Sequence, residues 1–362
     1  MKRSALFTLL LLALCAAARA FPFSGFSTPQ PKMISDADVI YNVTVESSTE
    51  GKVVPPDIGS WSTSKNEQFD VVEVRVKCKV HQTLKGKPRN EVSFTTYALH
   101  WKTSVRFWGG PPFPLPYFHK DQHCLVFFKE SKDSLSNPGN RWWNKIDIPR
   151  DVWMLVKSGT PTEMVKQTLI LALRKGDQSA QSEALDWLSE LQDPSVIQSI
   201  TPFLASDSTE LAHRAMLALV RLSYLPAVKM VVEQVQKGGK IRLSHSGSSS
   251  YVEIGASSAA QELTSVKDHA AVPIIAPLLD AEEDSARWAA ADAIRGLATK
   301  EDYPLLISML DNSNPNVRSD ADAALQRLTG LQKWPAAKLF RKDEKNHIDF
   351  WKDWARNGYK AA

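Results

Sequence analysis

Cysteine is scarce in this 362-residue sequence, and long apolar runs are absent after its first twenty residues. Only three cysteines occur, and Cys15 lies in the apolar N-terminal run. Two later cysteines provide too few ligands for a zinc site without more histidines at ligand spacing. No segment beyond the start has 18 consecutive apolar residues, so we expect no transmembrane helix in the mature chain.

Catalytic signatures are also missing from the sequence. It has no phosphate-binding P-loop, no HExxH zinc motif and no GxSxG nucleophile elbow. We therefore predict a protein that is not an enzyme and needs no cofactor or metal. The formal net charge of +4 includes three basic residues of the first twenty, so the remaining chain is near neutral. It has no strong basic stripe, which argues against nucleic acid as a partner.

Residues 1–20 have the features of a signal peptide. A basic start precedes a short apolar run and Ala18-Arg19-Ala20, which fits a cleavage site after Ala20. The predicted location is therefore outside the cytoplasm, as a secreted or periplasmic protein. Cys15 faintly resembles a lipoprotein cysteine, but Leu14 stands where such signals need a small residue, so we expect no lipid anchor.

Cys78 and Cys124 are the only cysteines of the predicted mature chain. In an exported protein the default expectation is a disulfide between them. Closing a loop of that length would contribute about 4 kcal/mol by the chain-entropy estimate. A catalytic thiol is the alternative.

The C-terminal half repeats itself every 31 residues. Asp280 aligns with Asp311, Arg287 with Arg318, Ala290 with Ala321 and Leu297 with Leu328. Each unit contains two segments with apolar residues at helical spacing, separated by a turn. Asn314-Pro315 fits a helix N-cap followed by proline at the first helical position. A fixed period of this length is typical of solenoid proteins.

These units resemble the HEAT-repeat family, in particular the short HEAT-like repeats of phycobilisome lyases. The resemblance rests on Pro273, Leu279, Asp280, Arg287 and Ala290 and their equivalents one period later. It implies an all-α solenoid over residues 160–330, in about five units. It implies a scaffold for partners and no particular chemistry.

A pattern of Asp followed seven positions later by Arg occurs three times in this half: Asp207 and Arg214, Asp280 and Arg287, Asp311 and Arg318. We interpret these residues as structural, with Asp capping the second helix of a unit and Arg reaching the turn of an adjacent unit. A row of arginines that binds an anion is the alternative. The third unit contains an insertion, and its composition predicts a flexible loop over residues 238–250.

Residues 35–150 show the period of β-strands. Apolar and polar side chains alternate from Val39 to Val45 and from Val72 to Val80, and two further β-rich runs follow. After a linker at 21–34, this predicts a small antiparallel β-barrel or sandwich. The order of the pieces resembles the netrin-module and tissue-metalloproteinase-inhibitor barrel. Those inhibitors act through an N-terminal cysteine, which this chain lacks near Phe21, so that activity does not carry over.

An aromatic segment interrupts the β-rich region. It is rich in Pro and Gly and carries the candidate binding residues Trp101, Phe107, Trp108, Phe113, Tyr117 and Phe118. One interpretation is a loop that folds over the protein's own surface. The other is a recognition loop for a protein, a peptide or a polysaccharide, since aromatic residues are frequent binding hot spots.

Three smaller patterns complete the sequence. His119, Asp121 and His123 alternate as metal ligands on a strand would, but we interpret them as ordinary loop residues. Asn42-Val43-Thr44 fits the glycosylation pattern. Residues 331–362 form a Trp-rich C-terminal segment in which Trp351 and Trp354 share a helix face, as expected of a cap over the last repeat.

Taken together, these patterns predict an exported, multidomain α and β protein. A small β-domain precedes a helical solenoid and a C-terminal cap. We expect a non-catalytic function in binding or scaffolding, with a protein or peptide as partner. The alternative is an accessory inhibitor or polysaccharide-binding protein that acts through the β-domain.

Overall fold

A computed structural model of the chain describes residues 30–54, 69–101, 118–131, 134–136, 145–238, 241–244, 251–254, 256–331 and 342–359. The chain divides into two compact units. The first contains the residues up to Asp147 together with Ser158–Met164, and the second contains Ile148–Lys157 and the chain from Val165 onward. The predicted signal peptide and the predicted linker before residue 30 lie outside the described residues.

The first unit is built on an antiparallel sheet. After helix α1 (Gln30–Asp36), its strands are β1 (Val39–Val54), β2 (Phe69–Lys85), β3 (Glu91–Trp101), β4 (His123–Ser131), β5 (Ser134–Ser136) and β6 (Lys145–Asp147). The strand order is β3-β2-β1-β4-β5, and β6 also pairs with β4. No pairing among the described residues joins β3 to β5, so the sheet is open.

Alternation of side chains explains why these segments are strands. In β2, Val72, Val74, Val76 and Cys78 are buried, whereas Arg75 and Lys77 between them are exposed. The buried set joins Tyr41, Val43, Phe94 and Phe128 in one hydrophobic core on one face of the sheet. A strand with period-two alternation buries one face in this way. The predicted alternation is therefore confirmed in β2, whereas β1 is buried on both faces from Val39 to Val43.

The prediction of a disulfide is wrong. Both Cys78 and Cys124 lie in the described part of the chain, and each is a buried thiol. Cys78 lies on β2 opposite Val45, and Cys124 lies on β4 opposite Val43. Strand β1 therefore separates them. Neighbouring strands are about 4.8 Å apart, so β2 and β4 are about 9.6 Å apart. This exceeds the Cα separation of about 7 Å that a disulfide tolerates.

The glycosylation pattern at Asn42 lies inside the sheet. Asn42 is fully buried in β1, and its Nδ2 donates to Gln82 Oε1 at 2.9 Å. An acceptor asparagine must be reachable by its modifying enzyme, so the folded protein does not offer this site.

The second unit is helical. Its helices are α2 (Pro161–Lys175), α3 (Gln178–Glu190), α4 (Ile197–Ile200), α5 (Thr209–Arg221), α6 (Leu225–Gln236), α7 (Ala256–Glu262), α8 (Val272–Ile275), α9 (Asp284–Leu297), α10 (Tyr303–Met309), α11 (Pro315–Thr329) and α12 (Glu344–Arg356). Short 3₁₀ segments extend α4 over Thr201–Ala205, α7 over Leu263–Ser265 and α8 over Ala276–Asp280. None of the helices in the described ranges is long and apolar enough to cross a membrane.

The helices follow the 31-residue period. Helix α5 begins and ends 31 residues after α3, and α11 begins 31 residues after α9. The second helices of successive pairs contact one another in the order α3, α5, α7, α9, α11. Small residues allow this approach: Ala290 and Ala321, one period apart, are both fully buried.

Helix ends follow local sequence signals. Asn314 is the N-cap of α11, its side chain accepts from Asn316 N at 2.9 Å, and Pro315 is the first helical residue. This confirms the predicted start. Helix α11 ends at Gly330, whose φ of 71° is the left-handed conformation that glycine adopts readily.

The predicted flexible loop at 238–250 differs from the structure. Ile241–Ser244 (β7) pairs with Tyr251–Ile254 (β8) in an antiparallel hairpin between α6 and α7. The prediction rested on the Ser and Gly content of the segment. It overlooked Ile241 and Leu243, which alternate with polar residues as strand residues do.

Candidate functional site

Two repeated arginines bind the turn of their own unit. Arg287 Nη1 donates to the carbonyl oxygens of Ala281 and Glu282, at 2.6 and 3.1 Å. One period later, Arg318 Nη1 donates to Asn312 and Ser313, at 2.7 and 2.9 Å. The guanidinium groups thereby satisfy carbonyls of the turn before the second helix. Adjacent turns are joined instead by asparagine, since Asn314 Nδ2 donates to Asp284 O at 3.1 Å.

Arg214 makes different contacts from the other two arginines. Its Nη1 donates to Asp186 Oδ2 of α3 at 2.6 Å, and its Nε donates to Glu210 Oε1 at 3.1 Å. It therefore links α5 to the preceding second helix. The three arginines do not form one uniform row: two bind their own turns and one bridges neighbouring helices.

The aspartates of the motif do not cap the second helices, which corrects the sequence-based interpretation. Ser208, one residue after Asp207, caps α5 through Leu211 N. Asn314, three residues after Asp311, caps α11. Asp280 and Asp311 are exposed in the turn, and Asp311 accepts from Lys352. After Asp280 and Asp311 the turn continues for three residues, so the helix begins too late for that side chain to reach it. Asp207 lies closer to α5, but Ser208 takes the N-cap position there.

Ion pairs connect the second helices along the stack. Arg221 of α5 forms a two-bond pair with Glu262 of α7, at 2.8 and 2.9 Å. Burial opposes the charge on Arg221, but the hydrogen bonds to Glu262 outweigh it and raise the pKa of this arginine. Arg295 of α9 binds Asp320 of α11 at 2.9 Å. These pairs join α5 to α7 and α9 to α11.

Trp288 is an exposed aromatic residue in the described part of the repeats. It lies on α9 with 44% of its surface exposed. Asp284 and Asp292 lie four residues before and after it, and so on the same face of the helix. Both are also paired, Asp284 with Arg287 and Asp292 with Arg295. This Trp288 surface combines an aromatic ring with carboxylates in the middle of the repeats.

Sequence reasoning missed this surface. The equivalent residue one period later is Ser319, and one period earlier it is Ser257. A tryptophan at a position where neighbouring units have serine was therefore a signal in the sequence. Whether it was exposed or in the core depended on how the helices pack.

Asp320 contacts the Trp288 surface through a side-chain hydrogen bond to Trp288, and only 6% of its own surface is exposed. Arg295 binds its Oδ1, whereas its Oδ2 has no hydrogen-bond partner among the described atoms. Burial raises the pKa of Asp320 to about 6, against the lowering effect of Arg295. This group therefore changes charge within the physiological pH range.

Helix α12 packs against α10 and α11 through a buried polar centre. The indole N–H of Trp351 donates to Asp322 Oδ1 at 2.7 Å, and His347 Nδ1 lies 3.1 Å from the same oxygen. Trp354 packs edge-on against Tyr303, with 4.9 Å between ring centroids. Trp351 and Trp354 are buried, as their shared helix face predicted, and Phe350 is half-buried.

The aromatic segment is described only at its ends. Trp101 is the last residue of β3, where its backbone pairs with Phe69. Phe107, Trp108, Phe113 and Tyr117 lie outside the described residues. Phe118 is buried in the sheet core, edge-on to Phe94 at 5.1 Å. As a candidate binding residue Phe118 is therefore corrected, because a ring enclosed by the core cannot meet a partner.

The alternating His119, Asp121 and His123 do not converge. His119 and Asp121 are exposed in the turn before β4, where Asp121 has a φ of 66°. His123 is the first residue of β4 and lies within hydrogen-bond distance of Thr44. Within the described ranges, no group of three or more His, Cys, Asp or Glu residues is arranged to hold a metal ion.

A comparison with known protein families identifies the type of repeat. Residues 253–326 match the family model of HEAT repeats, which confirms the resemblance noted in the C-terminal half. The matched segment contains α9, α10 and most of α11, and with them Trp288 and Asp320. No curated protein matches the chain.

Proposed function

We propose that this protein is a non-catalytic scaffold that binds another protein through a HEAT-repeat solenoid, with Trp288 as the central contact. HEAT repeats are typical of protein-interaction scaffolds. The observation that carries the proposal is the exposure of Trp288 within the matched repeats. Tryptophan is among the residues most enriched at binding hot spots.

The charge of the matched repeats indicates the partner. Residues 253–326 contain 13 acidic and five basic residues, a net charge of −8 with neutral histidine. Asp284 and Asp292 place some of this negative charge next to Trp288. We propose a polypeptide partner with a basic segment, whose Lys or Arg side chain packs on the indole as a cation on an aromatic ring.

The test compares Trp288→Ala with Met230→Ala in the mature chain. Met230 is an apolar side chain on α6 with similar exposure, 39% against 44%. Met230→Ala should unfold at the temperature of the wild type, and Trp288→Ala somewhat below it, because the indole also hydrogen-bonds to buried Asp320. Partners cross-linked to the wild type in the native exported fraction should be recovered with Met230→Ala and lost with Trp288→Ala.

Salt and partner composition complete this test. Binding should weaken as ionic strength rises, because exposed charges are screened within about 8 Å at physiological salt. A partner that binds Trp288→Ala as well as the wild type would show that the surface is wrong. An acidic or uncharged partner segment would refute the assigned chemistry.

We also propose that the scaffold acts outside the cytoplasm, on the strength of the signal-type sequence at 1–20. Its proposed domains are residues 35–150, a barrel or sandwich, and 160–330, the solenoid, followed by a cap over 331–362. Burial of both faces of β1 and β4 supports a further layer packed on this open sheet, as in a sandwich. The aromatic segment between Trp101 and Phe118 is a proposed second contact for the partner. N-terminal sequencing of the exported protein tests the location, with Phe21 as the expected first residue.

A further inference from the structure

Two histidines that are far apart in sequence meet at one hydroxyl group in the β-sheet. Thr44 lies on β1, His81 on β2 and His123 on β4, and β1 is the strand between the other two. Thr44 Oγ1 is 2.6 Å from His81 Nε2 and 2.8 Å from His123 Nδ1. All three belong to the first unit.

The single hydrogen of the Thr44 hydroxyl limits how it can bond to the two histidine nitrogens. A threonine hydroxyl has one hydrogen, so it donates to one imidazole and accepts from the other. When each ring carries its proton on the nitrogen away from Thr44, both ring nitrogens near the hydroxyl present a lone pair toward the same oxygen. A neutral imidazole nitrogen in that state is a metal ligand, so one cation can be bound by both rings.

The distances allow one ion to bind both rings. The two nitrogens are separated by no more than the sum of their distances to the hydroxyl oxygen, about 5.4 Å. An ion that binds both at about 2.0–2.1 Å requires about 4 Å or less. The rings are 28° from parallel, with centroids 6.1 Å apart, so a shift of about an ångström in the side chains closes the gap.

We propose that His81 and His123 form a binding site for a divalent transition-metal ion, with the Thr44 oxygen beside it and water completing the coordination. Imidazole nitrogen suits Cu²⁺, Zn²⁺ and Ni²⁺, and Cu²⁺ has the highest intrinsic affinity. The bound ion would cross-link β2 to β4 over β1. This site shares His123 with the pattern at residues 119–123 and takes its second ligand from a different strand.

The test is titration of the untagged full-length chain with CuCl₂, followed by calorimetry and electron paramagnetic resonance. His81→Gln and His123→Gln remove one ligand each, and His119→Gln removes an exposed histidine close to the site. The wild type and His119→Gln should bind one ion with two nitrogen ligands. Either ligand variant should bind it more weakly by about tenfold or more, since even outer-shell substitutions have that effect.

Equal Cu²⁺ affinity in the wild type and both ligand variants would overturn the proposal, as would a wild-type spectrum without two nitrogen ligands. Thr44→Val provides a separate measurement, because it removes the hydroxyl and retains both rings. Two-nitrogen coordination should persist in this variant. Its loss would show that the histidines serve only the hydrogen-bond network that joins the strands.

Discussion

The buried carboxylate of Asp320 leads to a quantitative prediction about pH and stability. Asp320 is almost fully buried between α9 and α11, and Arg295 is its hydrogen-bond partner at 2.9 Å. Burial raises its pKa to about 6 in the folded protein. The ordinary value for aspartate in an unfolded chain is about 3.9. The substitution Asp320→Asn removes this titration and keeps the size of the side chain.

The raised pKa determines the direction in which stability changes with pH. Between about pH 4 and pH 6 the folded state holds a proton that the unfolded state has released, so stability falls as pH rises through this range. The protonated carboxyl favours the folded state fully below about pH 4, and that contribution is gone above about pH 6. A difference of about two pKa units corresponds to about 3 kcal/mol in the free energy of unfolding.

Urea denaturation of both proteins from pH 4 to pH 7.5 measures this effect. Other groups titrate alike in the two proteins, so the difference in unfolding free energy isolates Asp320. Asp320→Asn should gain about 3 kcal/mol relative to wild type between pH 4 and pH 7. Arg295→Met should shift the wild-type decrease to higher pH, because the cation that opposes the effect of burial is removed.

A difference that stays constant with pH would refute this reasoning about Asp320. A difference of opposite sign would show that Arg295 outweighs burial and that the carboxylate is stabilised as an ion. In that case the pair would be a conventional salt bridge between the two helices.

Three further predictions concern packing, hydrogen bonding and thiols. Ala290→Leu should destabilise the protein by about 1–3 kcal/mol in thermal melts, because Ala290 is fully buried in the stack. Gly296→Ala on the same helix should stabilise it by about 1 kcal/mol, because the added methyl group meets nothing within 4 Å. Trp351→Phe should cost about 1–3 kcal/mol in thermal melts, because it removes the donor to buried Asp322. Unchanged stability would contradict the placement of α12. Protein from which residues 1–20 have been removed should show two free thiols when it is unfolded without reduction, and a count of zero would restore the disulfide. In the folded protein the thiols should react slowly with a thiol reagent, since burial raises the pKa of Cys78 to about 12.

Much of the local structure followed from the sequence. The alternation from Val72 to Val80 identified a strand, and Asn314-Pro315 marked the start of a helix, because both signals depend on residues that are neighbours in the chain. The 31-residue period identified the repeat type because every unit solves the same packing problem with small residues at equivalent positions, such as Ala290 and Ala321. The capping role of Asp280 and Asp311 was wrong because the motif showed where the turn begins and gave no sign of where the helix starts.

Only the tertiary structure decided which distant residues meet. Cys78 and Cys124 remain apart because β1 lies between their strands, and that same strand order brings His81 and His123 to Thr44. The sequence alone placed a tryptophan at position 288 and an asparagine at position 42. Packing exposed the first and buried the second. A local pattern specifies the period and the ends of an element, whereas strand order and helix contacts depend on the free energy of the whole fold.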